Sequence, residues 1–296
     1  MMSRWNGTLG LALATLVAGI HAQQPSFSVA IDAVQVDVLV TRNGDPISGL
    51  TAADFELRDN GVVQQIDAVT REELPLDVFL ALDTSESVRG EPLRALVSAA
   101  RVVLDHKAPN DRVALLTFSE RVRGPVSLTP DSAHVTAALD RIVTAGSTSL
   151  LDAVYGVLVL QHATRGRALV LLFSDGRDTS SWFRPATVLD LARRTDAVVY
   201  AIELERGSRK VPNAPLFLEE LAATTGGRVL RTGDMGTLRD LFAQAVREMK
   251  TRYILTYTPR GVVREGWHTL EVKLARGDGD VTARRGYLVP GQPPTR

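Results

Sequence analysis

Residues 76–87 read LDVFLALDTSES, an apolar run that ends abruptly in carboxylate and hydroxyl side chains. Such a short, nearly continuous apolar run is typical of a strand that is buried on both faces in a parallel sheet. Comparable runs follow at residues 113–118, 168–173 and 197–202, with a weaker one at 228–230. Segments with helical periodicity separate them. This alternation predicts a doubly wound, mainly parallel α/β sheet.

The two ends of the chain follow a different period, in which every second residue is apolar. The valines at positions 34, 36, 38 and 40 show this best and predict a strand with one buried face. Asp59-Asn60-Gly61 predicts a hairpin turn. Because isolated hairpins are marginally stable in water, neither end is expected to fold alone. We therefore expect the α/β domain to be inserted into a small β-sandwich that both flanks form.

The changes of period also predict the domain boundaries. An N-terminal β segment is expected over residues 23–73 and the α/β domain over 74–250. A C-terminal β segment over 251–290 is expected to pair with the first, and a polar tail follows at 291–296.

The first 22 residues have the pattern of a secretory signal peptide. A polar start containing Arg4 precedes the apolar run LGLALATLVAGI, and Ala22 offers a small residue at the cleavage position. The run is shorter than the about 20 apolar residues that a membrane-spanning helix needs. We expect an exported protein, periplasmic or extracellular, with no membrane span in the mature chain. An N-terminal anchor that stays attached is the alternative.

Composition and motifs exclude several classes of function. The 296 residues include 34 Lys+Arg and 34 Asp+Glu, so the formal net charge is zero and the basic footprint of a dedicated nucleic-acid binder is missing. The chain has no cysteine, which excludes disulfides, thiolate zinc sites and cysteine nucleophiles. It also lacks the G-x-S-x-G, H-E-x-x-H and P-loop motifs, so we expect no enzyme.

Oxygen-bearing side chains follow two of the predicted buried strands. Asp83, Ser85 and Ser87 come after the first strand, and Asp175 comes after the third. Ligands of open α/β sheets bind where strands end and the strand order reverses, so the two carboxylates are expected to face each other there. Thr148 lies in a hydroxyl-rich loop that opens another helix. Such oxygen donors suit a hard cation such as Mg²⁺ better than a softer metal.

Asp83-x-Ser85-x-Ser87, then Thr148, then Asp175 before a glycine, resembles the metal-ion-dependent adhesion site of von Willebrand factor type A domains. The resemblance covers roughly residues 74–250. It implies that both serines and the threonine contact Mg²⁺ or Mn²⁺, while the aspartates act directly or through water. It also implies a protein partner that presents Asp or Glu to the metal.

The flanks carry a narrower resemblance. Gly49–Leu57 before the domain, and Arg252–Tyr257 with Arg285-Gly286-Tyr287 after it, look like the exported "VWFA-related" proteins of acidobacteria. Two positions depart from the adhesion-site pattern. Glu86 replaces a small residue and adds a charge near the site. Ser147 stands where glycine is usual, so Ser147 and Ser149 are alternatives to Thr148 as the metal ligand.

Three functions are compatible with these features. The first is an exported binding protein that uses the metal to capture a partner's carboxylate. The second is a structural component of the cell envelope that binds through its β-sandwich, and the third is a metal-dependent hydrolase. Trp182 and Phe183 either rim the metal face or fold back onto the next helix, and the second placement is favoured. Four of the five histidines, at positions 106, 134, 162 and 268, are interpreted as surface or helix residues.

Overall fold

The computed structural model describes residues 33–71, 74–161, 164, 166–175, 177–205, 214–263 and 265–290. The expected signal peptide, the tail and His162 lie outside these ranges, so what the sequence indicates about them stays a prediction. No helix in the described ranges is long and apolar enough to cross a membrane.

The strands, in chain order, are β1 (Val34–Arg42), β2 (Asp45–Pro46), β3 (Phe55–Asp59), β4 (Val62–Gln64), β5 (Ile66–Thr70), β6 (Leu76–Asp83), β7 (Arg112–Phe118), β8 (Val122–Thr129), β9 (Arg167–Ser174), β10 (Val198–Leu204), β11 (Val229–Thr232), β12 (Tyr253–Tyr257), β13 (Gly266–Leu274), β14 (Asp280–Ala283) and β15 (Gly286–Val289). The helices are α1 (Glu91–His106), α2 (Ser132–Leu139), α3 (Leu150–Leu160), α4 (Pro185–Ala192), α5 (Ala214–Thr225) and α6 (Leu238–Thr251).

A six-stranded sheet in the order β11-β10-β9-β6-β7-β8 forms the centre of the α/β part. Its neighbouring strands are parallel, except that β8 pairs with β7 in the antiparallel direction. The chain builds outward from β6 through β7 and then returns to β9 on the other side of β6, so the strand order reverses between β6 and β9. The predicted doubly wound, mainly parallel sheet is confirmed. The edge strand β8 was missed, because most of its side chains are exposed and no apolar run marks it.

Both faces of this sheet are buried, which explains the apolar run that begins at Leu76. Side chains of β6 alternate between two cores: Leu80 and Leu82 pack with α1, α2 and α6, whereas Phe79 and Ala81 pack with α3, α4 and α5. Every residue of β6 is buried. The buried strand therefore holds its last residue, Asp83, at the carboxyl end of the sheet.

Two antiparallel sheets form the β-sandwich. One has the order β14-β1-β12-β5, with β2 added to β1, and the other has the order β15-β13-β3-β4. Strand β1 pairs with β12 and β14, and β3 pairs with β13, so each sheet contains strands from both ends of the chain. Apolar side chains such as Val36, Leu57 and Leu255 fill the space between the sheets. The expected insertion of the α/β domain into a sandwich is confirmed, while the boundary positions stay predictions.

The sandwich differs from expectation in strand β1, and its C-terminal part crosses between the sheets. After the Gly277 turn the chain changes sheets at Arg284, so β14 and β15 lie in different sheets. Strand β1 was expected to have one buried face, yet Leu39 and Thr41 on its other face are also buried. The strand lies against the α/β part, where helix α6 contacts it.

Candidate metal site

Asp83 is the last residue of β6, and its side chain is fully buried. Its Oδ1 accepts a hydrogen bond from the Ser85 backbone N–H at 2.8 Å, and its Oδ2 accepts one from the Ser174 hydroxyl at 3.2 Å. Burial raises the pKa of the Asp83 carboxyl to about 6, although the hydrogen bonds from Ser85 and Ser174 act in the opposite direction. A carboxylate held in this position is costly unless a cation or further donors compensate for it.

Two serine hydroxyls lie on the turn that follows Asp83. Residues Glu86–Val88 form a short 3-10 turn, which brings the Oγ atoms of Ser85 and Ser87 to 2.9 Å from each other. Ser85 is buried, whereas Ser87 is partly exposed. The turn therefore presents two neutral oxygens together beside the buried carboxylate.

The loop that carries Thr148 is hydrogen-bonded to this turn. The Ala145 N–H donates to the Thr84 carbonyl at 3.0 Å, and the Glu86 N–H donates to the Gly146 carbonyl at 3.1 Å. Gly146 has a φ of 71°, a left-handed value that favours glycine. Thr148 itself is buried.

The two alternative serines are placed differently. Ser147 is exposed. Ser149 is buried, but its hydroxyl donates to the Ser119 carbonyl at 2.6 Å. Of the three hydroxyl residues in this loop, Thr148 is the one that is buried and does not share the hydrogen bond that Ser149 donates to the Ser119 carbonyl.

Asp175 lies one residue beyond β9, the direct neighbour of β6. Since Leu82 pairs with Phe173, Asp83 is level with Ser174, and Asp175 is one position further along. Its Oδ1 accepts from the Arg177 N–H at 3.3 Å. The negative charge of Asp175 also raises the pKa of Asp83, as expected of two carboxylates held near each other.

The five predicted residues thus lie on three loops at the end of the sheet where the strand order reverses. They supply two carboxylates and three hydroxyls, a donor set that fits a hard divalent cation that keeps some of its water. Within the described ranges, no cluster of three or more His, Asp or Glu side chains could hold a metal ion.

Glu86 is the residue that adds a negative charge near this site. Its side chain is exposed and forms an ion pair with Arg89, in which Oε1 lies 2.5 Å from the guanidinium. The charge that this residue adds is therefore paired at the surface.

The expectation that Trp182 folds back onto the next helix is wrong, because Trp182 is 93% exposed. The Phe183 ring stacks on Tyr155 of α3, with 3.9 Å between the ring centroids. The backbone N–H groups of both residues donate to the carboxylate of Asp152, at 3.0 Å each. The sequence offered no signal for this contact, because about 30 residues separate the partners.

A second polar cluster lies inside the sandwich and was also missed. His268, interpreted as a surface or helix residue, is buried on β13, and its Nδ1 lies 2.8 Å from Oδ1 of Asp59. The hydroxyls of Tyr257 and Tyr287 donate to the other carboxylate oxygen at 2.9 and 2.8 Å. The interpretation failed because β13 and β3 come together only through long-range strand pairing.

Comparison with known proteins agrees with this architecture. The family model of the von Willebrand factor type A domain matches residues 77–244, more than half of the chain. The uncharacterized protein sll0103 of Synechocystis sp. is 28% identical over 111 residues, which make up 36% of this chain. The match spans 26% of that relative's length.

Solved structures share the fold at low sequence identity. A von Willebrand factor type A protein from Catenulispora acidiphila superimposes with a TM-score of 0.53 at 15% identity, covering 82% of this chain and 75% of that one. The vWF domain of the type V pili tip protein Mfa5 from Porphyromonas gingivalis gives 0.50 at 12% identity, covering 64% and 98%. The PilB minor pilin from Streptococcus sanguinis gives 0.50 at 9% identity, covering 62% and 63%.

Proposed function

Because the chain belongs to the von Willebrand factor type A domain family, we propose that it binds a protein partner through a divalent metal ion at the carboxyl end of β6. The metal is Mg²⁺ or Mn²⁺, and the partner supplies an Asp or Glu side chain. The proposed metal-binding residues are Asp83, Ser85, Ser87, Thr148 and Asp175.

One observation carries the proposal. The buried Asp83 carboxylate lies beside two serine hydroxyls that are 2.9 Å apart, and the negative charge of nearby Asp175 raises the pKa of Asp83. A divalent cation stabilises both carboxylates in their ionised form. When bound, the metal supplies Lewis acidity to the oxygen of an incoming ligand. Neutral hydroxyl ligands donate little charge, so they leave the cation attractive to a further carboxylate. The chain's own residues position the ion and leave one side open to the partner.

We also propose a role at the cell surface. Two proteins that share this fold are described as a pilus tip protein and a minor pilin. Together with the predicted signal peptide, this supports adhesion or protein binding outside the cytoplasm. Membership of the exported acidobacterial group is part of the same proposal and rests on the flanking segments alone.

Calorimetric titration of Mg²⁺ and Mn²⁺ into the purified protein tests the metal site. We expect one bound ion per chain, and loss of binding in Asp175→Ala. Asp178→Ala is the matched control, because this nearby carboxylate accepts a hydrogen bond from the Ser181 hydroxyl at 2.5 Å and has no proposed role at the metal. A folded wild-type protein that binds neither ion, or an Asp175→Ala variant that binds like wild type, contradicts the site.

A second candidate is a structural role in which the sandwich binds the partner. Strand β4 lies at the edge of its sheet and exposes Val62 and Val63 by 39% and 57%, which favours addition of a partner strand. Under this hypothesis, EDTA lowers the melting temperature but leaves partner binding unchanged. A hydrolase is the least favoured candidate, because a two-metal site needs more direct carboxylates than Asp83 and Asp175 supply. A panel of ester, phosphate and peptide substrates tests it.

A further inference from the structure

We propose that Trp182 is the apolar anchor of the partner-binding face, and that the partner carries a large apolar side chain within about four residues of its acidic residue. The inference rests on the proposed function and adds the chemistry of the partner to it.

The first observation is the exposure of the ring. Trp182 is 93% exposed, more than any other large apolar side chain in the described ranges. Tryptophan buries a large area when it is covered, and it is enriched among the residues that dominate binding energy at protein interfaces. An indole fully open to water is therefore a candidate for such a contact.

The second observation is that the backbone beneath the ring is held in place. The Trp182 and Phe183 N–H groups donate to Asp152, the Ser181 hydroxyl donates to Asp178, and the Phe183 ring stacks on Tyr155. These contacts fix the loop against the first turns of α3. A partner that covers the indole therefore loses little free energy to ordering of this loop.

The third observation is the position relative to the proposed metal ligands. The Thr179 and Ser180 N–H groups donate to the Thr148 carbonyl at 2.8 and 3.1 Å, and the Thr148 N–H donates to the Thr179 hydroxyl at 2.9 Å. Trp182 is three positions beyond Thr179, so their Cα atoms are at most about 11 Å apart. An extended peptide of about four residues covers such a distance.

The charges on the same loop agree with an acidic partner. Arg177 and Arg184 lie on either side of Trp182 and are both exposed. Within the ranges that the structure describes, neither guanidinium forms an ion pair with a carboxylate. Their charges attract acidic groups of the partner, while the indole accepts an apolar one.

A peptide selection tests the inference. The probe is a library of capped heptapeptides with one fixed Asp and randomised neighbours, presented to the immobilised protein in Mg²⁺ or in EDTA. We expect wild type to enrich peptides with a Phe, Trp, Leu or Met within four residues of the Asp, only in Mg²⁺. Trp182→Ala is expected to bind the best peptide at least tenfold more weakly while its Mg²⁺ affinity is unchanged. The control is Val263→Ala, which removes a 67% exposed side chain elsewhere and is expected to behave like wild type.

The outcomes separate this inference from the proposed function. If wild type selects Asp peptides in Mg²⁺ without an apolar preference, or if Trp182→Ala keeps both affinity and preference, Trp182 is not the anchor and the metal-dependent function stands. If selection is the same in EDTA but is lost in Trp182→Ala, the anchor stands and the metal-dependent function is wrong. Enrichment of no peptide over protein-free beads contradicts both.

Discussion

At the scale of single residues, the loop over residues 147–149 offers three hydroxyl side chains as possible metal ligands. The sequence predicts Thr148 as the ligand, with Ser147 and Ser149 as alternatives, and the three residues differ in the fold. Ser147 is exposed and Ser149 donates to Ser119, whereas Thr148 is buried in the loop that is bonded to the Ser85 turn. Their different surroundings make the assignment of the ligand testable by substitution.

Thr148→Ala is expected to weaken Mn²⁺ binding at least tenfold, because it removes one of the proposed ligands. Ser147→Ala is the matched control and is expected to bind as wild type does. Competition against a fluorescent Mn²⁺ indicator measures both affinities. Equal affinities for wild type and Thr148→Ala, or a loss confined to Ser147→Ala, would show that the ligand has been assigned to the wrong hydroxyl.

At the scale of strands and sheets, the sandwich is organised around a buried carboxylate. Asp59 at the end of β3 accepts hydrogen bonds from Tyr257 on β12 and Tyr287 on β15. Burial raises the pKa of both tyrosine hydroxyls, and the neighbouring Asp59 charge raises them further. A phenol that must stay protonated in the folded state makes stability depend on alkaline pH.

The sign of this dependence follows from the raised pKa values. Below about pH 10, both folded and unfolded chains keep these tyrosine protons, so the contribution of the two tyrosines to folding stability is fully present. Above it, the unfolded chain releases protons that the folded chain retains, so stability falls as pH rises. Tyr257→Phe removes one such group. Between pH 10 and 11 we therefore expect the melting temperature of this variant to fall less steeply than that of wild type, with a difference in slope of about 3 °C per pH unit. Thermal unfolding followed by circular dichroism measures this slope, and Tyr155→Phe on α3 is the control. A Tyr257→Phe slope equal to that of wild type would contradict the role of the cluster.

At the scale of the whole molecule, Arg252 joins the sandwich to the α/β part. It is the single residue between α6 and β12, and its side chain is fully buried. Its guanidinium donates to the Tyr200 hydroxyl of β10 and the Gly226 carbonyl after α5. It also donates to the Thr282 carbonyl of β14. An ion pair between Arg284 and Asp196, at 3.0 Å, links the same two parts.

These contacts predict that both parts unfold together. Differential scanning calorimetry should show one transition, and Arg252→Met should move all of it downward by about 10 °C, since several buried acceptors lose their donor. The exposed Arg260 provides the control, because Arg260→Met changes charge and length in the same way without these contacts. Two separate transitions, with only one shifted by the substitution, would show that the sandwich and the α/β part unfold independently.

Features that depend on neighbours along the chain can be predicted from the amino-acid sequence. A strand buried on both faces needs a continuous apolar run, and an amphipathic helix needs apolar side chains three and four residues apart. Strand β6 and helices α1 and α6 can therefore be predicted from these patterns. The Asp59-Asn60-Gly61 turn is visible for the same reason, because Asn60 and Gly61 adopt the left-handed φ values of 47° and 80° that few other residues tolerate. The order of Asp83, Ser85, Ser87, Thr148 and Asp175 is likewise a property of the sequence.

Features that depend on partners far apart in the chain become apparent only in the folded protein. The division of residues 280–289 between two sheets depends on where β1 and β13 lie, which no local pattern encodes. The contact of buried His268 with Asp59, and the hydrogen bonds from the Trp182 and Phe183 N–H groups to Asp152, join residues that lie far apart in the sequence. Hydrogen bonds and strand pairing between distant segments carry no periodicity, so their side chains look like ordinary surface residues until the chain is folded.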